Sequence, residues 1–151
     1  MSYSYNKKNK QIKKISPLPD EKAVTIGRVG EDAAVEFLRK AGYTVIGRNF
    51  RAGKNELDII AEDRKYLVFV EVKSRTCNAN GDLTYGNPSS SVTYSKKQRT
   101  LAAAGEYMRQ KGTKGKQPRI DVIEVFFAPS PKLSNTKEIV KINHIINAFG
   151  A

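Results

Sequence analysis

The chain has 151 residues, with 27 Lys and Arg against 15 Asp and Glu, a net charge of +12. That length suits one domain with a real core, and the basic excess favours polyanionic partners: nucleic acid, an anionic membrane surface or acidic protein. A single cysteine, Cys77, excludes an internal disulfide, makes the cytoplasm the natural compartment and, with the lone His144, is too little for a Cys/His zinc site. Structural roles fit both residues, since no signature pairs them for catalysis. No apolar run approaches the roughly 18 residues of a membrane span, and no signal-peptide apolar region is visible.

Residues 1–20 are polar, with five lysines, one acid and two closing prolines, and read as a disordered basic tail that solubilises or grips phosphates without regard to sequence. Residues 21–151 read as a single domain that is basic in its own right, with 22 bases against 14 acids. From Thr25 the period is helical, with Ile26, Val29, Ala33, Ala34, Phe37, Leu38 and Ala41 on one side and Gly42 as the residue past the C-cap. Tyr43 to Phe50 reads as a short strand. Asn55–Glu62 and Tyr66–Lys73 read as a hairpin turning at Asp63-Arg64. A Gly/Ser/Asn/Thr-rich loop runs from Ser74 to Thr93, longer than most connections, which suits a binding or gating role. Ser95 to Gln98 matches a capping box and opens a helix through Leu101, Ala104, Tyr107 and Met108. Ile120–Ala128 and Glu138–Ile146 read as strands. The order α-β-β-β-α-β, with one further strand, predicts an α/β fold: a mixed central sheet flanked by helices.

The hairpin carries charges at its open end. In either even-loop register, Glu56, Asp58 and Ile60 are expected to share a face with Leu67, Phe69, Glu71 and Lys73. Leu57, Ile59, Ala61, Val68, Val70 and Val72 are expected on the other, wholly apolar face. A two-residue turn sets Glu56 opposite Glu71; a four-residue loop sets Asp58 there. Three clustered carboxylates repel one another unless something positive sits among them. Lys73 is one such charge, and a divalent cation is another. Mg²⁺ binds through one or two carboxylates and keeps several waters, and Asp58, Glu71 and the Val72 carbonyl are its expected ligands. Lys73 would then orient an attacking water and offset charge growing at phosphorus. The bland alternative is a charged strand end satisfied by salt bridges.

NELDII followed by LVFVEVKSR resembles the D…E-x-K core of the PD-(D/E)xK restriction-endonuclease-like superfamily. Gly30-Glu31 with Ala34, Gly42-Tyr43, Arg48 to Arg51, Lys97 and Arg119 to Val122 extend the likeness most closely to the YraN family of small bacterial proteins, which are similar to archaeal Holliday-junction resolvases. Asn55, where glycine is expected, departs from the pattern. The resemblance implies a restriction-endonuclease-like αβββαβ core and a Mg²⁺- or Mn²⁺-dependent endonuclease acting on DNA, branched or damaged DNA included. Asp58 and Glu71 match its metal-binding acids, Lys73 its catalytic lysine, and Glu31 a first-helix glutamate that reaches the metal directly or through water. Resolvase-like relatives also pair as homodimers, although no segment here identifies a dimer face. Glu56 is a further ligand or, preferably, a partner for Arg75 or Arg48. Arg48, Arg51, Arg75, Lys96 and Lys97 are candidate phosphate contacts, with Lys97 first among them at the start of a helix. Arg99 is a further such base, and Tyr85 and Tyr94 suit either stacking on bases or packing. Two other readings remain open: a nucleic-acid-binding module without turnover, and an adaptor for a protein partner.

Overall fold

The computed structural model describes residues 22–78, 80 and 94–150, together with strands at residues 3–6 and 11–14. Helix α1 spans Lys22–Lys40 because small and apolar residues recur along one side. Val29, Ala33, Ala34, Val35 and Leu38 are buried, while Ala41, expected to close the stripe, is exposed in the turn. That turn ends the helix: Gly42 has φ 100°, its N–H donates to the Arg39 carbonyl, and the Tyr43 N–H donates to that of Leu38. Both bonds belong to a glycine-terminated helix end.

Strands β3 (Thr44–Ala52), β4 (Asn55–Glu62), β5 (Tyr66–Thr76), β6 (Gln117–Pro129) and β7 (Lys137–Ile145) form one sheet in that spatial order. Only β5 and β6 run parallel, as the crossover through α2 (Tyr94–Lys111) requires. The sheet is therefore mixed, and the helices cover its two faces. On one, α1 packs against Ile59, Ala61, Val68, Val70, Ile123, Val125 and Phe127. On the other, Ala103 and Ala104 of α2 pack against Leu57, Ile60, Leu67, Phe69 and Ile120. This is the αβββαβ order predicted from the sequence, with β7 added at an edge. Helix α2 begins at Tyr94, one residue before the predicted cap.

Two short strands, β1 (Tyr3–Asn6) and β2 (Gln11–Lys14), pair as an antiparallel ribbon within the segment whose composition predicts a disordered tail. Most of the long loop, including Tyr85, lies outside the described residues. Among the described residues, no helix is long and apolar enough to cross a membrane.

Candidate active site

The β4–β5 hairpin closes through a four-residue loop. Glu62 pairs with Leu67, the Asp63 N–H donates to the Tyr66 carbonyl, and Asp63 Oδ1 accepts from the N–H groups of Lys65 and Tyr66. This settles the register in favour of Asp58 lying next to Glu71. The ladder runs as far as Ile59 and Val70. Beyond it the Val72 N–H donates to Asp58 Oδ2 at 2.8 Å, so a side chain takes that backbone donor.

One expectation fails here. Leu57 packs with Ile60 and Phe69, not with Ile59, and its partner Phe50 meets Tyr107 of α2. Arg48, two residues before Phe50, instead meets Asp32 of α1. Both strands thus change face between the pairs Arg48–Ile59 and Phe50–Leu57, where Asn49 and Asp58 lie. Asn49 causes the reversal, since its φ of 52° is left-handed backbone that no extended strand contains. Glu56 consequently departs from the face of Glu71 and Lys73. It is exposed and pairs with Arg51 at 3.7 Å, rather than with Arg75 or Arg48.

Glu71 is the buried acid of the site. Its Oε1 holds two ammonium groups, Lys96 Nζ at 2.8 Å and Lys73 Nζ at 3.2 Å. Burial and the Glu71 charge push the Asp58 carboxyl up to about 7, against the pull of the Val72 N–H. Burial also lowers the Lys73 ammonium, with Glu71 opposing and Lys96 adding to the fall. Lys96 is shifted the other way: its own burial lowers it, but the hydrogen bond to Glu71 and that carboxylate's charge outweigh the loss. Two cations sharing one oxygen explain the opposite directions, because Lys96 makes the shorter contact.

Glu31 approaches from α1. Burial raises its carboxyl, Arg48 lowers it, and Glu56, Asp32 and Glu71 raise it further. Its guanidinium neighbour Arg48 lies 3.8 Å away and is shared with Asp32 at 2.7 Å. Gly30 brings α1 close, since a Cβ there would lie 2.3 Å from Ser74 Oγ on β5.

The remaining candidates scatter. Arg75 approaches buried Glu124 of β6 at 4.0 Å, and Glu124 also accepts from Asn143. Arg51 is exposed. Lys97 lies over the Phe149 ring at 5.6 Å, so Lys96, not Lys97, enters the acidic site. The predicted stripe of Leu101, Ala104 and Met108 is in phase with Lys97; only the burial of Thr100, four residues after Lys96, marks Lys96 instead. Tyr94 is exposed. Cys77 is buried, and His144 lies 2.7 Å from Asp121 in a separate network that the sequence reading missed.

The donor set accommodates a divalent cation. Among the described residues, Asp58 Oδ1 and Glu71 Oε2 have no hydrogen-bond or ion-pair partner, so each acid retains one oxygen. In a strand, the N–H and C=O of one residue leave from the same edge, which sets the Val72 carbonyl on the Asp58 side. Two carboxylates, a carbonyl and waters meet the oxygen preference of Mg²⁺. Glu31 does not complete a protein cage: no group of three Asp, Glu, His or Cys side chains able to hold a metal occurs among the described residues.

The model of the uncharacterised protein family UPF0102 matches residues 30–125, from the Gly30-Glu31 pair through both site strands. The chain belongs to UPF0102. This is the YraN family that the sequence resembles, within the restriction-endonuclease-like superfamily. A UPF0102 protein of Caldanaerobacter subterraneus is 40% identical over 125 residues, covering 83% of this chain and 94% of its own. One from Persephonella marina is 42% identical over 82% of this chain and 91% of its own. One from Clostridium kluyveri is 46% identical over 72% and 88%. Among solved structures, SfsA of Pyrococcus furiosus in complex with Ca²⁺ aligns with a TM-score of 0.40 and 17% identity, over 78% of this chain and 62% of that protein.

Proposed function

We propose that this UPF0102 protein is a metal-dependent endonuclease of the cytoplasm that hydrolyses phosphodiester bonds in DNA, branched or damaged DNA included. The observation that carries the reading is the pairing of Asp58 with Glu71, each keeping one oxygen unused, beside the ammonium groups of Lys73 and Lys96. A divalent cation held by Asp58, Glu71 and the Val72 carbonyl, Mg²⁺ or Mn²⁺, would supply Lewis-acid polarisation and a more acidic bound water.

The chain's own residues do the rest. Lys73, its ammonium lowered by burial, gives up a proton more readily than a free lysine and so orients and deprotonates the attacking water. Lys96 remains charged and offsets the negative charge that grows on the phosphoryl oxygens. Arg48 holds Glu31 at the rim, where that carboxylate would accept hydrogen bonds from water on a bound cation. The net charge of +12 draws the polyanion in without reading its sequence. A homodimer would supply the second centre needed to cut two strands.

A second reading, a nucleic-acid-binding module without turnover, is favoured by one feature: both ammonium groups already neutralise Glu71. Incubation of the full chain with duplex, single-stranded and four-way DNA in Mg²⁺ or Mn²⁺ separates the two. Cleavage lost in both Asp58→Ala and Lys73→Ala is the expected result. Salt-sensitive binding with no cut product in either metal would leave the module reading in place.

A further inference from the structure

The reversal at Asn49 has a second product. In a regular strand, residues 48 and 51 face opposite sides. Because Phe50 crosses to the α2 face, Arg51 returns to the face that Arg48 occupies. The two arginines, Asn49 between them, and Gly27, Arg28 and Glu31 of α1 line a cleft of about 660 Å³, together with Asp32. Arg28 and Glu31 stand one helical turn apart on the same side of α1.

The cleft is a cationic groove, not a closed ion-pair network. Among the described residues, Arg28 makes no ion pair or hydrogen bond. Arg51 has only the 3.7 Å contact with Glu56, and its side chain is 77% exposed. Such an open pair contributes little and yields easily to a better anion. Arg48 is the committed one, tied to Asp32 and Glu31. Two guanidiniums therefore remain available on opposite walls, one from a helix and one from a strand. A guanidinium presents a planar fork that fits a phosphate through two parallel hydrogen bonds. Asp32 and Glu31 disfavour a compact, highly charged anion deep in the cleft but tolerate a singly charged diester at its arginine rim.

Glu31 belongs both to this cleft and to the surroundings of Asp58 and Glu71, which act on its carboxyl or are acted on by it. The cleft is thus the next stop along the surface from the carboxylate pair. We propose that it binds phosphodiester groups of the nucleic-acid strand leading away from that pair, through Arg28 and Arg51. The identity of the polyanion rests on the nuclease reading above, but the cleft makes a separate claim: binding runs across α1 and β3, past Glu31. The contacts fix the path of the strand and carry no base specificity.

The test is equilibrium binding of labelled single-stranded and four-way DNA to the full chain in EDTA over a salt series. Arg28→Ala/Arg51→Ala is compared with Lys132→Ala/Lys137→Ala, which removes the same charge at the far edge of the sheet, around β7. Two lost phosphate contacts should shallow the slope of log K against log salt by about 1.4 on single strands and about 1.8 on duplex arms. The lysine pair should shift it by much less, and Arg28→Lys/Arg51→Lys should restore most of the slope. Equal behaviour of the arginine and lysine pairs, or no binding by the unaltered chain, overturns the proposal. Cleavage is scored in parallel with Mg²⁺. A chain that cuts DNA but shows no arginine effect removes the cleft and keeps the nuclease. A chain that never cuts but shows the arginine effect does the reverse.

Discussion

Two carboxylates in this molecule, Asp121 buried and Asp58 half-buried, have opposite fates. Asp121, at the β6–β7 end of the sheet, is fully enclosed. Arg119 donates to both its oxygens at 2.8 Å, His144 Nε2 lies 2.7 Å away and the Asn147 N–H donates at 3.0 Å. Burial alone would raise its carboxyl, but these partners outweigh burial and hold it below the ordinary value. Asp58 has one N–H and an acidic neighbour, and its carboxyl rises to about 7. Desolvation raises both, so partner supply decides the outcome. A carboxylate with every lone pair engaged is structural. One left short of partners beside another acid is a candidate functional group, and the cation proposed above would supply the partner that it lacks.

The largest expected effect is on the satisfied cluster. Asp121→Ala leaves Arg119 as an uncompensated buried charge and should destabilise the fold by about 3–5 kcal/mol, read from urea unfolding midpoints. An unchanged midpoint would erase the contrast between the clusters. Next comes the unsatisfied one. Lys73→Ala should reduce DNA cleavage by roughly 10²–10³-fold, the usual loss on removing one group that stabilises a transition state, with little change in melting temperature.

The pH response should separate the clusters further. The native chain holds a proton at Asp58 more tightly than the unfolded chain, whose carboxyl keeps its ordinary value of 3.8. Stability is therefore lost as pH rises from about 4 through about 7, and the loss is complete above that. Asp58→Asn, which retains an acceptor for the Val72 N–H, removes this dependence. Relative to the native chain it should gain about 1–2 kcal/mol between pH 5 and pH 8, a figure discounted for partial solvent screening. Mg²⁺ should recover a similar amount in the native chain above pH 7 and nothing in the variant; a flat difference across pH would show that Asp58 is not strained. The smallest effect is expected at Gly30→Ala. Its Cβ clashes only with the Ser74 hydroxyl, which can rotate away, and lies at ordinary contact distance from Ser74 Cβ and Phe127, so a loss below about 1 kcal/mol should appear in thermal melts.

Much of this was readable in the chain. The stripe from Val29 to Leu38, the Gly42 stop, the limits of β4 and the alternation from Ile59 to Val70 follow from local periodicity and recur in the structure, while β5 runs on to Thr76, past the expected Lys73. Glu56 and Leu57 went astray because a two-residue period assumes regular backbone, and one left-handed residue breaks it. Asn49 gave only a faint hint, since asparagine tolerates that conformation but usually does not adopt it. The precedence of Lys96 over Lys97 needed the phase of α2 against the sheet. The Asp121–His144 contact joins residues 23 apart, and only the β6–β7 register brings them together.

By itself, then, the sequence determined the order of elements, the family and the closeness of Asp58, Glu71 and Lys73, because each depends on spacing within a helix or across one hairpin, while leaving Glu56 and Asp58 as alternatives opposite Glu71. The tertiary structure alone decided that Lys96 joins Lys73 at Glu71, which oxygens remain unused and how Arg28 and Arg51 come to share a cleft. Those outcomes depend on the approach of separate elements in space, and a chain encodes that approach only through the packing of the whole sheet against its two helices.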